Sequence, residues 1–157
     1  MISFNGNVHG IQLKGIIPEY EKLVTSLSDN IIEGDLNNIG LKPYQISIGI
    51  DLAKKMSLSI GDKITLVIPR ATNTLVGIVP RIKRFEVGSI FNFGMQQYDK
   101  NLVFIDINEA QVLFDMDDDV TGLRLKLHDL FEVKKMSNFI FSNFKSNYIV
   151  IDWTMMN

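Results

Sequence analysis

The chain contains no cysteine. Disulfide bridges, thiolate metal ligands and thiol nucleophiles are therefore excluded, and the redox compartment is left open. Histidine is nearly absent: His9 and His128 are the two present. Neither sits in a recognisable motif, so both read as structural or exposed groups rather than as catalytic bases. No G-x-x-x-x-G-K-[ST] stretch occurs, which excludes nucleotide binding by that phosphate cradle. No G-x-S-x-G elbow marks a hydrolytic serine. No apolar run approaches the roughly 18–20 residues that cross a bilayer. Met1 is followed by ISFNGN, without the charged start and apolar stretch of a signal peptide. An excess of positive charge is missing too. The net charge of −2 argues against general nucleic-acid binding by bulk electrostatics.

What is present suits a folded α+β domain. The 157 residues fit one domain, or two small lobes sharing a core, and 46% are hydrophobic, enough for a sizeable interior. MISF and HGIQLKGII flank the turn signal NGN and read as strands. PEYEKLVTSLSD reads as a helix opened by Pro18, with Glu19 and Glu21 at its positive end and Tyr20, Leu23, Val24 and Leu27 on one buried face. NIIEGD is a short strand or turn. YQISIGIDLAKKMSL predicts a strand running into a helix capped by Asp51, and KITLVIP another strand. KNLVFIDI is almost continuously apolar, as a strand covered on both faces must be. NEAQVLFDM predicts a helix with Asn108 as cap and Gln111 three residues on. VTGLRLKLHD alternates like a half-buried strand. DLFEVKKMSNFIFSNF repeats the capping pattern with Asp129 and Glu132. Its inner face is expected to carry Leu130, Val133, Met136, Ile140 and Phe144. NYIVIDW closes as a strand.

Two stretches invite chemistry. In DMDDDV, Asp115, Asp117 and Asp119 have the first three spacings of a calcium loop. Val120 stands where that loop needs glycine and Lys126 where it needs glutamate, so an acidic surface turn is the better reading and no metal or cofactor is expected. The second stretch is PRATNTLVGIVPRIKR, residues 69–84, between two good strands. It carries Leu75, Val76, Ile78 and Val79 at its middle, basic Arg70, Arg81, Lys83 and Arg84 at its ends, and no acidic residue. Exposed aliphatics inside a basic rim are what a protein-docking hairpin carries.

Several segments taken together resemble a known family. GIIPEYE, IGIDLAKKMSLSIGDKITLVIP, PRIKRFEVGSIFNFGMQQYDKNLVFIDINEAQVLF, VTGLRLKLHD and the closing DW are similar, in order, to the periplasmic domain of LolC/LolE-type permeases, relatives of MacB-like periplasmic domains. The resemblance covers nearly all of residues 1–157. It implies a two-lobed α+β domain with a porter-like lobe, lying between the first two transmembrane helices of an inner-membrane permease. It implies a part in the lipoprotein-releasing ABC transporter of Gram-negative bacteria. The lipoprotein is the cargo, a cytoplasmic LolD subunit hydrolyses ATP, and a LolE-type or second permease subunit completes the complex. This chain is then non-catalytic. The resemblance also implies a protruding hairpin, the hook, that captures the chaperone LolA. It falls on residues 69–80, with Pro69, Leu75, Val76, Gly77, Ile78 and Pro80 as contact residues. Beside it Arg81, Lys83 and Arg84 would form a basic pad, although Thr65 and Ile82 stand at two positions where the family pattern is polar or basic. The alternative within the same resemblance is a MacB-like or LolE-type mechanotransmission domain that does not bind LolA.

Overall fold

A computed structural model describes residues 1–74, 77–144 and 149–155, with residues 69–74, 77–79 and Trp153 at the backbone only. β1 (Ile2–Phe4) and β2 (Asn7–His9) close around Asn5 and Gly6, both at positive φ, 47° and 80°. A two-residue primed turn demands that geometry. β3 (Gln12–Ile16) runs into α1 (Pro18–Val24), with Pro18 in the first turn as expected. The helix stops earlier than its sequence pattern suggests. Thr25 is extended (φ −130°), and its hydroxyl donates to Glu21 Oε1 at 2.9 Å, a local bond that competes with helix propagation. The 3.6-residue phase is lost there. Leu27 is buried, Val24 is half-buried, and Tyr20 and Leu23 are exposed, so the expected four-residue inner face is not formed.

β4 (Ile31–Gly34) follows, then the single turn α2 (Asn38–Leu41), β5 (Gln45–Gly49) and α3 (Ile50–Met56). Asp51 lies in the first turn of α3 but is not its cap; Gly49 holds that position. β6 (Lys63–Thr74) and β7 (Gly77–Phe91) form a long hairpin. After α4 (Gln96–Asn101), β8 (Leu102–Asp106) leads directly into α5 (Ile107–Phe114). Here the cap is Asp106, not Asn108. Its Oδ1 accepts from Asn108 N at 2.8 Å and from Glu109 N at 3.4 Å. The strand hands over without a loop, so the first side chain able to accept from free N–H groups lies two residues earlier than the Asn108–Gln111 pattern suggests.

The chain forms two compact units, Met1–Leu123 and Arg124–Asn157. The second contains a single turn at Leu130–Glu132, where Asp129 accepts from Phe131 N at 2.8 Å, and then α6 (Val133–Asn143). No residue of α6 is buried, and Met136 and Phe144 are exposed, so the apolar stripe is amphipathic without being a covered inner face. VTGLRLKLHD is not a strand: residues 120–126 are exposed and join no ladder. Alternation yields a strand only where an edge is there to pair with. The closing NYIVIDW is not a strand over Ile149–Asp152, and a single turn spans Trp153–Met155; residues 145–148 lie outside the described part.

All eight strands join one mixed sheet in the order β2-β1-β6-β7-β5-β8-β3, with β4 also on β7. The β5–β7 and β3–β8 pairs are parallel and the others antiparallel. One face buries Ile46, Ile48, Phe85, Val103 and Ile105 against Leu52 and Met56 of α3 and Leu113 of α5. The other buries Phe91, Leu102 and Phe104 against Leu27, Leu36 and Ile39. KNLVFIDI is thus covered on both faces, as its apolar run requires. On β5 and β7, paired Ser47 and Ser89 are buried, and their hydroxyls have no hydrogen-bond partner among the described residues. Ser47→Ala is therefore expected to raise stability by about 1 kcal/mol, since it removes an unpaired buried hydroxyl. Urea denaturation checks it, and an equal loss would show that the hydroxyl has a partner.

Candidate functional site

The segment 69–84 is not a loop between strands; it is largely strand. The β6–β7 ladder runs from Lys63↔Glu86 to Thr74↔Gly77, with an irregularity between Ile68 and Thr72. Neighbouring strands stop short of it. β1 pairs with β6 only at Thr65 and Leu66, and β5 meets β7 from Glu86 onward. Val67 still exchanges hydrogen bonds with Met1; from Ile68↔Arg81 outward the described strands pair only with each other, so the sheet narrows to a two-stranded ribbon. Leu75 and Val76, expected at its tip, lie outside the described residues. Pro69, Gly77 and Ile78 lie in the two strands and are described at the backbone alone, while Pro80 is exposed.

The three cations at the ribbon base do not share one surface. Successive strand residues face opposite sides. Arg81, Lys83 and buried Phe85 therefore point towards α5, and Ile82 and Arg84 point to the opposite side, where both are exposed. Arg81 is engaged within the chain. Its Nη1 donates to Val112 O at 2.7 Å and its Nη2 lies 2.9 Å from Asp115 Oδ1. Asp115 ends α5 in the left-handed conformation (φ 58°), so Arg81 supplies a cation and a donor to that helix's carbonyl end. Lys83 Nζ sits 3.9 Å from the centroid of the Tyr44 ring, a cation–π contact. Opposite Lys83 and Arg84, across the β6–β7 ladder, stand Leu66 and Thr65.

Two groups here had no signal in the sequence. Tyr44 N–H donates to Glu109 Oε1, joining the start of β5 to the first turn of α5. Glu109 Oε2 is buried and has no partner among the described residues. Burial raises the Glu109 carboxyl above its ordinary value. The Tyr44 N–H opposes that shift, the Asp106 charge adds to it, and Lys83 opposes it weakly.

The other candidates have structural roles. His9 Nε2 donates to Lys100 O at 3.2 Å while Nδ1 accepts from Lys55 Nζ at 3.0 Å, a tautomer that satisfies both ring nitrogens and ties β2 to α3 and α4. His128 is exposed. In the acidic turn, Asp115 faces Arg81 and Asp119 O accepts from Gln111 Nε2 at 3.1 Å. Among the described residues no three acidic or histidine side chains gather as a metal site, and no helix is long and apolar enough to cross a membrane.

No protein-family model matches the chain. Individual relatives do. It is 31% identical over 153 residues to the lipoprotein-releasing system transmembrane protein LolC of Neisseria meningitidis serogroup B, covering 97% of this chain and 37% of that protein. It is 31% identical over 145 residues to the LolC protein of Xylella fastidiosa, covering 92% and 35%. With the LolE protein of Haemophilus influenzae the identity is 24% over 144 residues, covering 91% and 34%. The chain thus spans about a third of the length of the curated relatives it matches. Over that third, it is a LolC/LolE-type domain, related to the transmembrane proteins of lipoprotein-releasing systems.

Proposed function

We propose that this chain is the periplasmic part of a membrane subunit of the lipoprotein-releasing ABC transporter, and that its β6–β7 ribbon docks the chaperone LolA. The observation that carries the reading is the ribbon itself: two strands leave the sheet edge paired only with each other, in a chain matched almost end to end by LolC proteins. On this reading residues 1–157 lie outside the inner membrane between two transmembrane helices, with the family's two-lobed, porter-like plan. ATP hydrolysis belongs to a LolD-type subunit, and a LolE-type or second permease stands alongside.

The division of labour is read from the sequence at the tip and from the exposure and contacts of the basic residues at the base. Aliphatic tip residues, Leu75, Val76 and Ile78, serve as anchors, because buried apolar contacts hold most of the energy of a small interface. Arg84, exposed and facing away from α5, accelerates encounter with an acidic partner. Arg81 and Lys83 hold the base of the ribbon, through Asp115 and Tyr44 respectively.

The test uses the register. Ile68 faces Arg81, so residues 69–80 can be replaced by an Asn-Gly turn that closes the hairpin at that rung. The shortened chain is expected to keep its melting temperature and lose detectable binding to purified LolA by calorimetry. Leu75→Asp or Val76→Asp is expected to weaken binding about thirtyfold or more, the scale of a lost hot-spot anchor. Parent-like affinity in the shortened chain would leave the mechanotransmission role as the better account.

A further inference from the structure

Backbone groups along a strand point alternately to its two sides. Val87 N–H donates to Asp62 O at 2.9 Å, on the β6 side, and Glu86 N–H donates to Tyr44 O at 2.8 Å, on the β5 side. Along β7 from Glu86 towards the ribbon, the same alternation turns Phe85, Lys83 and Arg81 to β6, and Arg84, Ile82 and Pro80 to the outer edge. β5 does not follow along that edge, because its ladder with β7 starts at Gln45↔Glu86. Tyr44 is left-handed (φ 54°) and gives its N–H to Glu109 Oε1 instead, and Pro43 before it has no N–H. On the outer edge, the N–H and C=O groups of Ile82 and Arg84 therefore face no strand among the described residues.

The outer edge of β6 differs. Val67 N–H donates to Met1 O at 2.8 Å, and the Met1 amino group donates to Val67 O at 2.9 Å. Two residues further on stands Pro69. β7 instead keeps two open rungs between Tyr44 and the exposed Pro80. Proline at 80 falls on an outward place, where its missing N–H breaks no ladder bond. An open edge has a specific complement, the backbone of another extended segment. The side chains narrow the choice. Ile82 is 61% exposed and Arg84 is exposed beside it, and residues 69–84 contain no acidic group. A second copy pairing through this edge would set like charges against each other, whereas an acidic strand would complement them. We propose that Ile82 and Arg84 receive an extended, acidic segment of the protein that the ribbon docks, added to β7 as a strand in line with β5. This inference rests on the docking reading, and on that reading the protein is the chaperone LolA.

Hydrogen exchange of single amides in this chain tests it, with purified LolA as the probe. In the chain alone, Ile82 and Arg84 are expected to exchange rapidly while Lys83 is protected by its bond to β6. Saturating LolA is expected to slow Ile82 and Arg84 at least tenfold. A pair of variants reads the same contact as affinity. Ile82→Pro removes the outward N–H and leaves the β6–β7 ladder intact, as Pro80 does. Ile82→Ala removes the side chain and keeps the N–H. The proline variant is expected to bind LolA about tenfold more weakly than the alanine variant, because the incoming strand is left with an unpaired acceptor. Unchanged exchange at Ile82 and Arg84 under saturating LolA, with binding lost in the shortened hairpin, would overturn the strand addition and leave the docking reading standing. Equal affinities in the two variants would do the same. Parent-like affinity in the shortened hairpin would overturn both. Protection at Ile82 and Arg84 that appears on concentrating this chain alone would assign the edge to a second copy and overturn the proposal. Should Ile82→Pro melt early, exchange in the parent chain decides.

Discussion

Replacing Phe91 with alanine is expected to lower stability by about 3–5 kcal/mol, the range for emptying a buried aromatic site. Phe91 is fully buried and sits where β7 meets both β4 and β5. Its ring lies 5.4 Å from Phe104, edge-on, and 4.9 Å from Phe93. Three aromatics held at those separations interlock, so the neighbours cannot collapse into the space without giving up their own contacts. For a chain of this size such a loss lowers the melting temperature on the order of 10 °C. Calorimetry decides: a drop of only a degree or two would show that this second core is loosely packed.

The second large effect comes from adding a single methyl group. Gly49 has an ordinary extended conformation (φ −73°, ψ 150°), so backbone freedom does not explain it. Space does. A Cβ at Gly49 would lie 2.2 Å from Asp99 O and 2.6 Å from both Asp99 C and Cα. These are backbone atoms and cannot rotate away. Asp99 is itself fixed: it is 2% exposed, and its carboxylate accepts from Phe93 N at 2.8 Å and Met95 N at 3.0 Å. Gly49→Ala must therefore push α4 off the end of β5, at about 3 kcal/mol, the upper end of overpacking effects. Gly61→Ala is a useful contrast: its φ of 88° is strained for alanine but it has open space around it, so a smaller loss of about 1 kcal/mol is expected there. Equal losses at the two sites would refute the steric account.

The sequence is most legible where neighbours dictate burial from two sides. KNLVFIDI carries an apolar run because both faces of the sheet are covered there. The Asn5–Gly6 turn is legible because few residue pairs tolerate two positive φ values. Legibility fails where a local bond or a missing neighbour decides. Thr25 ends α1 through its own hydroxyl, and Tyr20 and Leu23 turn to solvent. VTGLRLKLHD alternates correctly, but no strand edge receives it. In the candidate site, the hairpin could be read from the strand sequences on either side of residues 69–80. Charge counting alone could not tell that Arg81 and Arg84 face opposite ways. Nor does any local pattern bring Glu109 to Tyr44, 65 positions away in the chain; only the folded sheet does.

β7 is a single uninterrupted strand that begins beside the ribbon tip at Gly77 and ends at Phe91 in the core. One of its edges is taken first by β6 and then by β4, and the other by β5. A pull on Gly77 along the strand axis would therefore not peel the sheet open one rung at a time. It would load the ladders with β4 and β5 in shear, all their hydrogen bonds sharing the strain together. The returning arm of the ribbon is thus rooted in the interior: tension on Gly77 passes first through the rungs with β6 and then into those with β4 and β5 that end at Phe91.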